Sequence, residues 1–121
     1  ITPKGFIEAS KELIRVLKTG GNLYITVPFG QYMNLGMAQQ FDSNLLNQLL
    51  KTFDSCENIN VTFYKYDENG WNISRQENCL DSKYVTWLAE SWMKGAYPKP
   101  MKIEKDHAAG ARAVACIEIK K

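Results

Sequence analysis

The sequence predicts an α/β fold, a mixed sheet of about three to four strands carrying two to three helices. Three observations predict it. Val16-Leu-Lys-Thr-Gly-Gly-Asn-Leu-Tyr-Ile-Thr-Val-Pro-Phe-Gly30 reads as a helix end, a two-glycine turn and a short apolar strand stopped by proline. Leucines recur at helical spacing between Asp42 and Phe53. Two later segments, Asn58 to Tyr66 and Ala113 to Ile119, have the composition of strands. The order is helix, strand, helix, strand, insertion, strand, in a single domain over 1–121 with 75–110 as an irregular insertion.

Each element has a local reason. Thr2-Pro3 opens the first helix, with Thr2 as N-cap and Pro3 where a missing N–H costs nothing. Phe6, Ala9, Leu13, Val16 and Leu17 are its expected buried stripe. Gly20 and Gly21 close its end, and Lys18 sets a cation against the helix dipole. Leu23, Ile25 and Val27 then alternate with Tyr24 and Thr26, and Pro28 cannot continue the ladder. Phe29 to Gln40 reads as a loop with room for one helical turn.

Asp42 suits the second N-cap, with Phe41 stapling onto Leu46. Leu45, Leu46, Leu49, Leu50 and Phe53 form that helix's apolar face. Along the next strand Ile59, Val61 and Phe63 face one way and Asn60, Thr62 and Tyr64 the other. Asp67-Glu-Asn-Gly70 is a hairpin turn, and Trp71 to Ser74 returns as a short strand. A helix within residues 80–94 is admissible until Pro98 and Pro100. Ala113-Val-Ala-Cys-Ile-Glu-Ile119 reads as a central strand covered on both faces. Ile25, Val27 and Leu46 are expected in the core.

Composition narrows the function classes. At 121 residues, 45% hydrophobic, the chain supports one compact domain with a modest core. A net charge of +2 without clustered Lys and Arg argues against a nucleic-acid surface. Cys56, Cys79 and Cys116 are an odd set with no C-x-x-C spacing, which favours a reducing compartment, structural thiols and no metal site. The sequons at Asn60 and Asn72 read as chance occurrences of a short motif. No apolar run is long enough to cross a bilayer, so no membrane partner and a cytoplasmic location are expected.

Glu12-Leu-Ile-Arg-Val-Leu-Lys-Thr-Gly-Gly-Asn-Leu-Tyr-Ile-Thr-Val-Pro28 resembles the helix, turn and fifth strand of class I S-adenosylmethionine-dependent methyltransferases, with Thr19 where that family most often has proline. A narrower similarity, to methyltransferase-like proteins of polysaccharide pathways, rests on Val27-Pro-Phe-Gly30, Gln40-Phe-Asp42 and Ala113-Val-Ala-Cys116. The resemblance implies a partial Rossmann-like sheet whose final strand inserts antiparallel beside the fifth. It also implies the C-terminal, substrate-side half of the domain. A complete one needs roughly twice this length if each strand has its own crossover. No Gly-x-Gly-x-Gly run is present, and no acidic residue ends a second strand, so the chain alone is expected not to bind S-adenosylmethionine and to be inactive.

Candidate substrate-side residues follow from position. Gln31, Tyr32, Gln39 and Gln40 leave the carboxyl end of a sheet strand, where open α/β sheets place ligands. Their amides and phenol suit a polar substrate; an ordinary loop bonding to its own backbone accounts for them equally. Trp71 beside the turn can stack on a ring or simply pack, as can Trp87 and Trp92. His107 is the single histidine, a proton carrier near neutral pH or a plain loop residue.

Two functional classes remain, besides another doubly wound enzyme sharing the helix–Gly-Gly–strand unit. One is an enzyme part that methylates a small molecule or saccharide. The other is a non-catalytic assembly module. In either, the strand at Leu23 to Val27 is expected to lack a neighbour on one side. A homodimer through that edge or an uncovered apolar face is the expected partner state.

Overall fold

The computed structural model describes residues 3–34, 38–85 and 110–121. Helix α1 spans Gly5–Val16. It begins later than the sequence suggests, after Lys4, which contributes no side-chain cap. The buried stripe is also rotated from the expected one. Ser10 is buried, and Phe6 and Ile14 pack against the core, while Leu13 and Val16 are 42% and 62% exposed. The small hydroxyl of Ser10 sits at the centre of the stripe, so counting only apolar residues turned the face toward Leu13.

The helix ends where Leu17 goes extended. Gly20, at φ 80°, then completes a turn in which Gly21 N–H donates to the Lys18 carbonyl at 2.8 Å. A positive φ at the third turn position favours glycine, and Thr19 holds the position that favours proline. Lys18 therefore lies beyond the helix. The cation at its carboxyl end is Lys121, whose Nζ donates to the Ile14 and Leu17 carbonyls.

Strand β1 (Asn22–Pro28) follows, then two short strands, β2 (Met33–Asn34) and β3 (Gln39–Gln40), which pair with each other. Among the described residues this loop contains no helical turn. Helix α2 (Ser43–Lys51) is capped as expected, Asp42 Oδ1 accepting from Leu45 N–H at 2.9 Å. Strands β4 (Asn58–Asp67) and β5 (Gly70–Ser74) form the expected hairpin, with Gly70 at φ 89°. A 3₁₀ turn at Gln76–Asn78, the paired short strands β6 (Tyr84–Val85) and β7 (Gly110–Ala111), and β8 (Ala113–Lys120) complete the order. Tyr84 and Val85 are thus extended, where a helix was admissible. The rest of that segment, with Trp87, Trp92 and His107, lies outside the described residues, as does Thr2.

The main sheet runs β1-β8-β4-β5. Strand β8 pairs antiparallel with both β1 and β4, so those two run the same way with the last strand reversed between them. This is the expected insertion. Every neighbouring pair is nonetheless antiparallel, so the fold is mixed α/β without the parallel arrangement of a Rossmann-like sheet.

The core lies on one face. Ala113, Ala115, Ile117 and Ile119 of β8 join Val27, Phe29, Phe63 and the α2 residues Leu45, Leu46 and Leu49, with Phe53 just beyond. Phe29 meets Phe63 edge-on at 5.0 Å, and Phe6 tilts against Phe41 at 4.8 Å. Val27 and Leu46 are core as expected, and Ile25 packs partly buried against it. The expectation that β8 is covered on both faces is corrected: its burial alternates, and Val114, Cys116 and Glu118 face a side over which no described helix lies.

Candidate functional site

The carboxyl end of β1 is built as a knot. Pro28 stops the ladder, and Phe29 is fixed by its N–H donating to the Ala113 carbonyl at 2.9 Å. Phe41 returns beside it as an isolated parallel bridge, Gly30 N–H donating to the Phe41 carbonyl and Phe41 N–H to that of Pro28, both at 2.9 Å. Gly30 has φ 151°, and a Cβ there would stand 2.1 Å from the Ser82 carbonyl oxygen. Only glycine permits that approach.

Gln40 locks the knot. It is fully buried, and its Nε2 donates at 2.9 Å to both the Gln31 and the Ser82 carbonyls. Gln31 N–H donates to the same Ser82 oxygen at 2.9 Å. Gln40 Oε1 and Ser82 Oγ are buried without a partner among the described residues. Gln39, also buried, sends its Nε2 to the Pro3 carbonyl at 2.7 Å, tying the loop to the start of α1. Tyr32 Oη reaches Gln39 Oε1 at 3.4 Å.

The structure thus brings four of the sequence-nominated residues together with two roles among them. Gln39 and Gln40 spend their donors on backbone carbonyls and stiffen the loop. The Gln31 and Tyr32 side chains are exposed to solvent. Trp71 is elsewhere, half-exposed on the outermost strand β5, tilted against Tyr66 at 5.4 Å, with the Arg112 guanidinium 5.4 Å over the Tyr66 ring.

Sequence reasoning missed a second polar assembly, on the open face of the sheet. Cross-strand register places Tyr24, Glu118 and Asn60 in one row, and Asn22, Lys120 and Asn58 in the next. A cleft of about 160 Å³ opens between these side chains. Toward the other end the rows become Thr26, Cys116 and Thr62, then Pro28, Val114, Tyr64 and Ile73. Burial pushes the Cys116 thiol above its ordinary range. On α1, the Arg15 guanidinium bound to Glu12 holds that exposed carboxyl below its ordinary range. The signal for the missed assembly was the polar half of each alternation, which reads singly as a solvated face.

Among the described residues, no three His, Cys, Asp or Glu stand together as a metal site, and no helix is long and apolar enough to cross a membrane. Compared with family models, curated proteins and solved structures, the chain matches none.

Proposed function

We propose that the chain is the substrate-side half of an S-adenosylmethionine-dependent methyltransferase-like domain acting on a small molecule or saccharide. The observation that supports it is the reversed strand β8 lying between two strands that run the same way. It is joined to the helix–turn–strand segment at residues 12–28. Methyl transfer asks mainly for alignment of acceptor and methyl group. A loop braced by a buried amide, with Gln31 and Tyr32 exposed at the strand end, suits holding a polar acceptor. Gln39 and Gln40 serve as its braces, and Trp71 and His107 stay secondary candidates.

The residues present do not fit the cofactor. The tightest backbone approach at this end, Gly30, is filled by the chain's own Ser82 carbonyl. The part left to this chain is to place the acceptor. Calorimetry on the complete polypeptide that carries this sequence tests the proposal. It is expected to bind S-adenosylmethionine at micromolar order, about −8 kcal/mol, while the 121-residue chain alone does not. A complete polypeptide that binds none overturns the reading.

A non-catalytic assembly module is the second reading, favoured by β1. Among the described residues it is an outer strand of the sheet, uncharged from Asn22 to Pro28, and Leu13 and Val16 of α1 are exposed as well. We propose that it pairs with a second copy in a two-fold dimer. Light scattering on dilute chain is expected to give twice the 13.8 kDa mass; a monomer at every concentration removes this reading.

A further inference from the structure

We infer that the open face of the sheet, at the end bearing Asn22, is a binding site for a neutral saccharide ring. The cleft there is lined by the side chains of Asn22, Tyr24, Asn58, Asn60, Glu118 and Lys120, with Ile119 between the last two. Register fixes them as two adjacent rows on three hydrogen-bonded strands, so the backbone presenting them is rigid. Tyr24 is 68% exposed. Lys120 leans toward Glu57 at 3.9 Å. The other five side chains make no hydrogen bond or ion pair among the described residues.

The composition of the cleft selects the ligand. Asparagine is depleted in strands, so folding alone does not favour Asn60 in the interior of β4, one row from Asn22 and Asn58. An amide both donates and accepts, and a carboxylate accepts two bonds, which matches the paired hydroxyls of a sugar. The Tyr24 ring offers a flat apolar surface for the C–H face of a pyranose, beside a phenol that can also bond. An anion would meet Glu118 with only the half-engaged Lys120 to offset it. A divalent cation would find a single carboxylate. The cleft is of the scale of one sugar ring.

This site does not rest on the methyl-transfer reading, since it lies at the end of β1 away from the braced loop. Loss of either leaves the other standing. The test is a nuclear magnetic resonance titration of ¹⁵N-labelled chain with methyl β-D-glucopyranoside and, separately, methyl β-D-galactopyranoside. Sodium sulfate and calcium chloride serve as ionic probes. At least one glycoside is expected to produce saturable shifts, of low-millimolar affinity, centred on Asn22, Asn58, Asn60 and Glu118. Tyr24→Ala and Asn60→Ala are each expected to weaken it about tenfold, while Ile73→Ser, at the far end of the same face, leaves it unchanged. Tyr24→Ala carries the test if the Asn60 variant does not fold. No saturable shift with either glycoside, equal affinity in Tyr24→Ala, or saturation by sulfate or calcium in place of the sugars would overturn the site.

Discussion

Along β8, Ala113, Ala115, Ile117 and Ile119 are each at most 1% exposed, whereas Val114, Cys116, Glu118 and Lys120, one step away, are half-buried or exposed. The two faces share every backbone hydrogen bond and differ in burial. On the covered face, α1 and α2 leave little freedom in side-chain choice, because volume and polarity must fit. On the other face, among the described residues, Tyr24, Asn60 and Glu118 are exposed and meet no such constraint, while Val114 and Cys116 stay half-buried. Packing among the described residues therefore does not account for the polar choices at the Asn22 end.

That contrast can be broken by substitution, starting with the covered face. Ile117→Ala is expected to cost about 2–5 kcal/mol, the range for truncating a buried aliphatic, read as a lowered urea midpoint. An unchanged midpoint would mean the covered face is not the core. Next comes the knot at the end of β1. Gly30→Ala puts a Cβ against the Ser82 carbonyl at a backbone angle unsuited to alanine. A loss of about 3 kcal/mol is expected in the same denaturation. A variant as stable as the parent would dissolve the knot.

Asp42→Ala removes one N-cap acceptor and should cost about 1 kcal/mol, visible as a drop in thermal midpoint. On the open face, Ile73→Ser should stay within about 0.5 kcal/mol of the parent, since Ile73 is 73% exposed. A larger loss by calorimetry would show that this face is covered after all. The smallest effect is kinetic. With its thiol held protonated by burial, Cys116 should alkylate slowly at neutral pH. Its rate should climb only above the ordinary thiol range of about 8.5. Mass spectrometry after timed iodoacetamide exposure checks this; brisk labelling at pH 7 would contradict it.

The helix α2 shows what the sequence makes legible. Asp42 and the spacing of Leu45, Leu46 and Leu49 state its start and its buried face outright, and the structure agrees. Helix α1 shows the limit. A serine at the centre of its buried stripe carries no apolar signal, and the ammonium that caps it comes from the far end of the chain. The alternation of β1 and β4 was readable, as was the β4–β5 hairpin, whereas the place of β8 beside β1 was implied by the resemblance and not by the residues of either strand. Strand β8 misled because its open-face residues Val114 and Cys116 are apolar enough to imitate burial. Of the candidate site, the loop's position was visible from Pro28 onward. Its bracing was not, since Ser82 meets Gly30 and Gln40 only after the chain has folded back.

The position of β8 has a consequence for the order of events in folding. The strand that both β1 and β4 need as a neighbour is synthesised after both of them. Until it emerges, α1, α2, the β2–β3 pair and the β4–β5 hairpin have local partners, and β1 has no strand beside it among the described residues. The sheet then closes over long sequence separations, a topology that folds slowly. During translation the apolar faces of Leu23, Ile25, Ile59 and Val61 wait without their central strand, which is when such chains most readily aggregate. A ribosome-bound chain halted before Ala113 should therefore be protease-sensitive along β1, and synthesis of residues 113–120 should convert β1 and β4 to the protected state together.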